Sequence, residues 1–289
     1  MSAAVAGSQA IVVTGASTGI GEACVRELDK RGFRVFAGVR SEADAQRLEA
    51  RGTSRLTALR FDVTDTAAIA AAARDVTQSV GAAGLWGLVN NAGIAVAGPM
   101  EALPLDLLRR QMEVNFIGQV AVTQAFLPLL RLARGRIVNM SSINGRVSAP
   151  YLGPYAASKH ALEGMTDALR SELRSWGIQV ILVEPAGIAT PIWKKSFSAT
   201  TRLTAELPEE VVALYDADLK AIERLAPRLI ASALPVEKVV RAVLHALTAR
   251  RPKTRYPVGW KSHLAFTAKR WLSTRLIDRI LRQQMGLPK

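Results

Sequence analysis

Short apolar, β-branched runs alternate with helix-patterned stretches through the first two thirds of the chain, and few folds accommodate that alternation. Residues 10–14, 33–39, 56–61, 85–89, 136–140 and 179–183 read as strands. Between them, residues 19–31, 42–51, 66–79, 106–132 and 155–176 place apolar side chains at helical spacing. Near-continuous apolar strands suit a sheet that is covered on both faces. Strand–helix–strand units with short loops predict an α/β doubly wound parallel sheet with helices on both sides. Beyond residue 185 the rhythm changes. Residues 191–207 have no clear period, 208–225 and 235–249 are helical, 255–258 form a short last strand, and 261–285 form an amphipathic helix. No repeat, low-complexity linker or charge block divides the 289 residues. One domain, 1–289, is expected, with 191–235 as a lid region and 260–289 as a basic C-terminal extension.

Composition and charge narrow the class. With 49% hydrophobic and 21% charged residues, the chain is a globular protein rather than a disordered one. Cys24 is the sole cysteine, which excludes an internal disulfide and fits a reducing compartment. Residues 1–9 lack a basic leader pattern, and no uninterrupted apolar stretch approaches the roughly 20 residues of a spanning helix, so a cytoplasmic location is expected. The formal net charge of +14 is unevenly placed: residues 250–289 hold 11 Lys/Arg against one acid, Asp278. The basicity is a property of the tail. His160, His245 and His263 have no partners at metal-ligand spacing, and no metal site is expected.

The segment Thr14-Gly15-Ala16-Ser17-Thr18-Gly19-Ile20-Gly21 follows the first strand and opens the first helix. Glycines let the backbone approach a pyrophosphate there, and the helix start offers free N–H groups and a positive dipole end. At the end of the second strand, where an acid would hold the ribose hydroxyls of NAD, the chain reads Gly38-Val39-Arg40. Arg40 can fork onto a 2′-phosphate, and Ser17 can donate to it, which favours NADP(H) over NAD(H). The alternative is a solvent-facing Arg40 near Glu42 and Asp44. Asp62 and Val63 end the third strand, and Asn91, Ala92 and Gly93 follow the fourth. Strand ends of this kind are where open parallel sheets bind ligands, although taken singly these residues are ordinary caps and turns.

Tyr155-Ala156-Ala157-Ser158-Lys159 lies on a helix, so Tyr155 and Lys159, four residues apart, share one face. A phenol of ordinary pKa near ~10 is a poor base at neutral pH. A neighbouring ammonium favours the phenolate and brings it toward working range. Ser142, at the end of the fifth strand, can hold an oxygen on which negative charge develops.

In order and spacing, these motifs resemble the short-chain dehydrogenase/reductase family from about residue 10 to 190, and they are similar to its steroid/retinol dehydrogenase branch. The resemblance rests on TGxxxGxG, Asn-Asn-Ala-Gly, a serine, YxxxK and a mid-chain asparagine. It implies a seven-stranded Rossmann sheet and hydride exchange between a nicotinamide dinucleotide and an alcohol or carbonyl. By the family pattern, Tyr155 is the general acid/base, Ser142 orients and polarises the carbonyl, and Lys159 holds the nicotinamide ribose. Asn115 helps anchor a relay water, whereas by itself it reads as a half-buried structural amide. The family usually has Pro-Gly after the sixth strand, followed by a threonine; here the order is Pro185-Ala186-Gly187, and Ile188 and Thr190 are expected at the carboxamide.

Ile192, Trp193, Phe197, Leu203, Leu207, Leu214 and Tyr215 give the lid region an apolar character that suits a bulky apolar substrate, or simple packing on the body. The tail carries Trp and Leu among Lys and Arg, the chemistry of an interfacial membrane helix; a helix covering the cleft with a solvated basic face is the other reading. No nucleic-acid motif accompanies the charge. A catalytically quiet NADP-binding regulator is the rival to an enzyme. The two long helices often pair across a homo-oligomer in the family, and that state stays open here.

Overall fold

The computed structural model describes residues 9–193, 196, 201 and 208–287. Seven strands form one parallel sheet in the order β3-β2-β1-β4-β5-β6-β7. They are β1 (Ala10–Val13), β2 (Arg34–Val39), β3 (Leu56–Arg60), β4 (Gly87–Asn90), β5 (Arg136–Met140), β6 (Gln179–Pro185) and β7 (Arg255–Val258). Alternate strand residues feed two separate cores. Ile11, Val13, Val35, Ala37, Val138 and Met140 pack on one face with helices α1 (Gly19–Lys30) and α2 (Glu42–Glu49). Val12, Phe36, Leu88 and Ile137 face the other way, against α3 (Thr66–Val80) and the long helix around Phe126. The period-2 geometry of a strand produces this division, and burial on both faces explains why the strands read as continuous apolar runs. The expected Rossmann-type sheet is present, with the short strand at 255–258 as its seventh member.

The chain order reverses between β1 and β4, and their C-terminal ends leave a crevice there. The glycine loop leaves β1 on one side of it, and residues 91–93 leave β4 on the other.

The long helix expected over 106–132 is continuous but irregular. It comprises α4 (Leu105–Met112), one wide π turn (Glu113–Ile117) and α5 (Gly118–Ala133). By length and composition this helix is apolar enough to cross a membrane. Its inner face, with Val122, Phe126, Leu129 and Leu130, is buried on the sheet. Helix α6 (Gly153–Glu172) follows β5. Helices α7 (Glu209–Ala231) and α8 (Glu237–Thr248) come before β7.

The tail differs from the single helix expected at 261–285. It forms α9 (Trp260–Trp271) and α10 (Thr274–Gln284), separated at Leu272 and Ser273, whose ψ values of 149° and 151° leave the helical region. Serine and threonine compete poorly for helix interiors and well for helix starts, which is where Ser273 and Thr274 stand. Of the lid residues expected from the sequence, Phe197, Leu203 and Leu207 lie outside the described residues.

Candidate active site

The glycine loop is shaped by close approaches that admit no side chain. Gly15 and Gly19 take φ values of +63° and +61°. A Cβ at Gly21 would lie 2.2 Å from the Gly15 carbonyl oxygen, so loop and helix can pack together only with glycine there. Thr18 precedes α1 in an extended conformation without a side-chain cap, which leaves the first N–H groups of the helix to a ligand.

Asn91 turns out to support this loop. Its Nδ2 donates to the carbonyls of Thr14 (3.0 Å) and Gly15 (3.1 Å), while Thr14 Oγ1 accepts from the backbone N–H groups of Asn91 and Ala92. Thr14 is therefore a hinge between the two strand ends. Its role was hidden in the sequence because its partners lie more than seventy residues away.

Arg40 follows β2 with an exposed side chain, 3.8 Å from Asp62 Oδ2 at the end of β3. Asp62 Oδ1 in turn accepts from the N–H and hydroxyl of Thr64. On the adjoining helix, Arg47 donates to the Ser17 carbonyl (2.5 Å) and pairs with Glu22 and Asp44. Arg47 did not stand out in the sequence, where it reads as an ordinary surface base on α2. It fixes the loop segment that carries Ser17.

Ser142 ends the β5 strand region in an extended conformation, and its Oγ accepts from the N–H of Asn144. Tyr155 lies at the start of α6, 6% exposed. Burial pushes its phenol up, and a hydrogen bond with Ser142 opposes that rise. Lys159 is 4% exposed; its Nζ lies 5.9 Å from the Tyr155 ring centre and donates to the Met140 carbonyl at 2.7 Å. Burial lowers this ammonium to about 8, and the charge of Glu163 opposes the fall. Ser142, Tyr155 and Lys159, drawn from β5 and α6, thus meet at one buried point. The lid adds Trp193, whose ring stands edge-on to Tyr155 with centres 6.0 Å apart.

Asn115 sits fully buried in the π turn. Its Oδ1 accepts from Ile94 N–H (2.8 Å), and its Nδ2 donates to Ile94 O (2.9 Å) and Ser158 Oγ (3.1 Å). Gln111, one turn earlier, holds the same loop: Oε1 accepts from Val96 N–H and Nε2 donates to Ile94 O. Gln111 belongs to no motif of the sequence, although two amides four residues apart on an apolar helix are a usable signal. The Asn115 side chain is therefore committed to the loop, and its backbone carbonyl lies where the wide turn departs from the regular ladder.

The Pro185-Ala186-Gly187 order leaves the strand end intact. Ala186 N–H donates to the Val258 carbonyl, and Ile188 bridges to Leu234. Thr190 comes beside Gly19, whose Cβ, if present, would lie 3.2 Å from it. Thr190 thus stands against the glycine loop, while Asp62 and Val63 follow β3 and Gly93 follows the end of β4. Cys24 is packed in the core, its thiol raised to about 12 by burial. Among the described residues, no group of three metal-ligating side chains occurs.

A family model for short chain dehydrogenases matches residues 9–201. The chain belongs to that family. Mouse retinol dehydrogenase 5 is 39% identical over 94% of the chain and 87% of its own length. Bovine 17-beta-hydroxysteroid dehydrogenase type 6 is 38% identical over 96% and 89%. A Burkholderia cenocepacia short chain dehydrogenase, solved in complex with NADP, superposes with a TM-score of 0.72 at 26% identity, covering 97% of this chain and 98% of that one. This short-chain dehydrogenase is an oxidoreductase of the steroid/retinol dehydrogenase-like branch.

Proposed function

We propose that the chain is an NADP(H)-dependent oxidoreductase that interconverts an apolar alcohol and its ketone or aldehyde, of steroid-, retinoid- or lipid-like kind. The meeting of Ser142, Tyr155 and Lys159 at one buried point carries this reading. Gly15, Ser17, Thr18, Gly19, Ile20 and Gly21 would hold the pyrophosphate, Arg40 the 2′-phosphate, and Asp62 and Val63 the adenine. Ile188 and Thr190 would meet the carboxamide. The bound nicotinamide supplies or accepts the hydride.

In the reductive direction, Tyr155 donates its phenolic proton to the carbonyl oxygen while the Ser142 hydroxyl hydrogen-bonds the same atom and stabilises its developing charge. The Lys159 ammonium stabilises the phenolate left behind and holds the ribose. The Asn115 carbonyl serves as the acceptor for a relay water that returns a proton toward Lys159. In oxidation the same groups run backward. The unit comprises the whole of 1–289, with 191–235 as the lid; Trp193 beside Tyr155 supports an apolar pocket wall. Turnover of a panel of sterols, retinoids and long-chain alcohols and their carbonyls, each with NAD(H) and NADP(H), tests this reading. Cofactor binding without turnover on any member would favour a regulator instead.

A second reading concerns location, and the outer face of α9 supports it. Trp260, Leu264 and Trp271 fall within one narrow arc of the helix and are 66%, 58% and 76% exposed, opposite the buried Ser262 and Phe266. Lys261 and Arg270 flank them. Aromatic and apolar side chains bordered by bases suit the headgroup region of an anionic lipid surface. A cytoplasmic protein with peripheral membrane contact follows. Sedimentation with vesicles of one part phosphatidylserine to three parts phosphatidylcholine should capture the chain, and a Trp260→Ser/Trp271→Ser double variant should stay in solution. Equal capture of both would remove the stripe from the account.

A further inference from the structure

One helical turn beyond Lys159, a group of buried ionisable side chains takes no part in the chemistry described above. Glu163 on α6 is 6% exposed, and Glu184 on β6 is wholly buried. Arg255 of β7 reaches between them. Its Nη1 donates to Glu163 Oε2 and, at 2.9 Å, to Glu184 Oε1, while its Nη2 donates to Asp167 Oδ2 at 2.6 Å. Asp167 also pairs with Arg170. From the loop after β5, Arg146 approaches Glu184 Oε1 at 3.7 Å, its guanidinium lying over the Phe266 ring of α9, whose Lys269 binds the Arg146 carbonyl. With these bonds made, Glu163 Oε1, Glu184 Oε2 and Ser141 Oγ remain buried without a protein partner. Gly145 shows how close two of them are: a Cβ there would lie 2.5 Å from Ser141 Oγ and 3.0 Å from Glu163 Oε1.

Two carboxylates that share one guanidinium nitrogen, each with an unpaired oxygen in a dry interior, repel one another unless one of them carries a proton. Glu163 also stands four residues after Lys159, on the same face of α6. A lysine this deeply buried is an ammonium only if a negative charge is near. We propose that Glu163, clamped by Arg255 beside a protonated Glu184, is the positioning residue that holds Lys159 in its ammonium form. The inference rests on the role given to Lys159 above and extends it to residues that touch neither substrate nor cofactor.

The titration of the cluster agrees in direction. Burial raises the Glu184 carboxyl to about 7, the charge of Glu163 adds to the rise, and Arg255 and Arg146 oppose it. As pH climbs through neutrality, Glu184 ionises beside Glu163 and Arg255, in the range just below that in which the Lys159 ammonium, at about 8, loses its proton.

The test has a kinetic arm and an arm that needs no turnover. In Glu163→Gln, the basic limb of the kcat/KM profile for carbonyl reduction should move down by about one pH unit, which is about fivefold lost at pH 8, about tenfold above pH 9 and little lost near pH 6. Glu163→Asp keeps the charge and should return the limb most of the way. An equal loss at every pH, with the limb unmoved, would make the cluster a mere strap between β7 and α6 and overturn the proposal. The second arm is thermal unfolding of the cofactor-free chain against pH. Folded Glu184 holds a proton that the unfolded chain releases above its ordinary value of 4.5, so its contribution is present below that pH and lost as pH rises through about 7. Glu184→Gln should therefore match the wild type near pH 4.5 and gain on it by pH 8; parallel curves would overturn the shared proton. Lys159 works the other way, since its folded value lies below its ordinary 10.5, so the folded chain gains as pH rises from about 8. Glu163→Gln should open that gain about one unit lower. Wild-type chain without turnover would sink the proposed activity while leaving both unfolding curves to decide the cluster. If Glu163→Gln does not fold, Glu163→Asp and Glu184→Gln still decide it.

Discussion

Helices α1 and α7 show two ways of belonging to this molecule. The twelve residues of α1 bury Gly21, Cys24, Val25, Leu28 and Asp29 against the sheet. The twenty-three residues of α7 include none that is fully buried. Polar contacts in its N-terminal half hold it instead: Tyr215 donates to Glu101 Oε2 at 2.5 Å, and Tyr151 donates to Asp218 from a backbone held at φ +64°. The sheet and its close helices are fixed by packing, whereas the lid helix is latched. The buried meeting of Ser142, Tyr155 and Lys159 lies on the packed part, and under the proposed function recognition of a bulky molecule would fall to the loosely packed one.

The sharpest break would come at the packed point itself. Tyr155→Phe removes the acid/base while leaving the ring, and should cut kcat by about 10²–10⁴-fold with cofactor affinity unchanged. Undiminished turnover would remove the chemistry from the sheet side altogether. Stability should divide along the same line. Phe126→Ala, in the core, should cost about 3–5 kcal/mol by urea denaturation, whereas Leu214→Ala on α7, 72% exposed, should stay within about 0.5 kcal/mol. Similar costs at the two positions would mean that α7 is packed after all.

Arg40 tests the cofactor side of the crevice. Losing a charge-assisted fork is worth about 1.5–3 kcal/mol, so Arg40→Ala should weaken NADPH binding by about ten- to a hundredfold and leave NADH nearly untouched, as read by fluorescence titration. A parallel loss for both nucleotides would mean that Arg40 only supports Asp62. The smallest effect belongs to the latch. Tyr215→Phe removes one exposed hydrogen bond and should raise KM about two- to fivefold at constant kcat. A fall in kcat with KM constant would tie α7 to the chemical step instead of to entry.

Much of the site was legible because its signals are local. The glycine run, the tyrosine and lysine four residues apart, and the arginine after a strand each express a constraint within a few residues of chain. Asn115 was found, but its side chain proved to be tied to Ile94 and Ser158, a loop and a helix residue 21 and 43 positions away. Thr14 and Arg47 are silent in the sequence for the same reason. Each is an ordinary residue type whose meaning is given by a distant partner. The tail was read as one helix because periodicity survives a two-residue break that only backbone angles reveal.

By itself the sequence determined the strand order in the chain, the alternation that demands helices on both faces, the glycine turn after β1 and the tyrosine and lysine that share one face of α6. Those follow from periodicity and from residue chemistry over short spans. Only the tertiary structure decided that Glu163 and Glu184 share Arg255, that Trp193 stands against Tyr155, and that two tryptophans of α9 face outward. Buried charges acquire partners, and helix faces acquire an inside, only after the sheet has brought remote segments together. Desolvation, which sets the energy of both, does not exist for an unfolded chain.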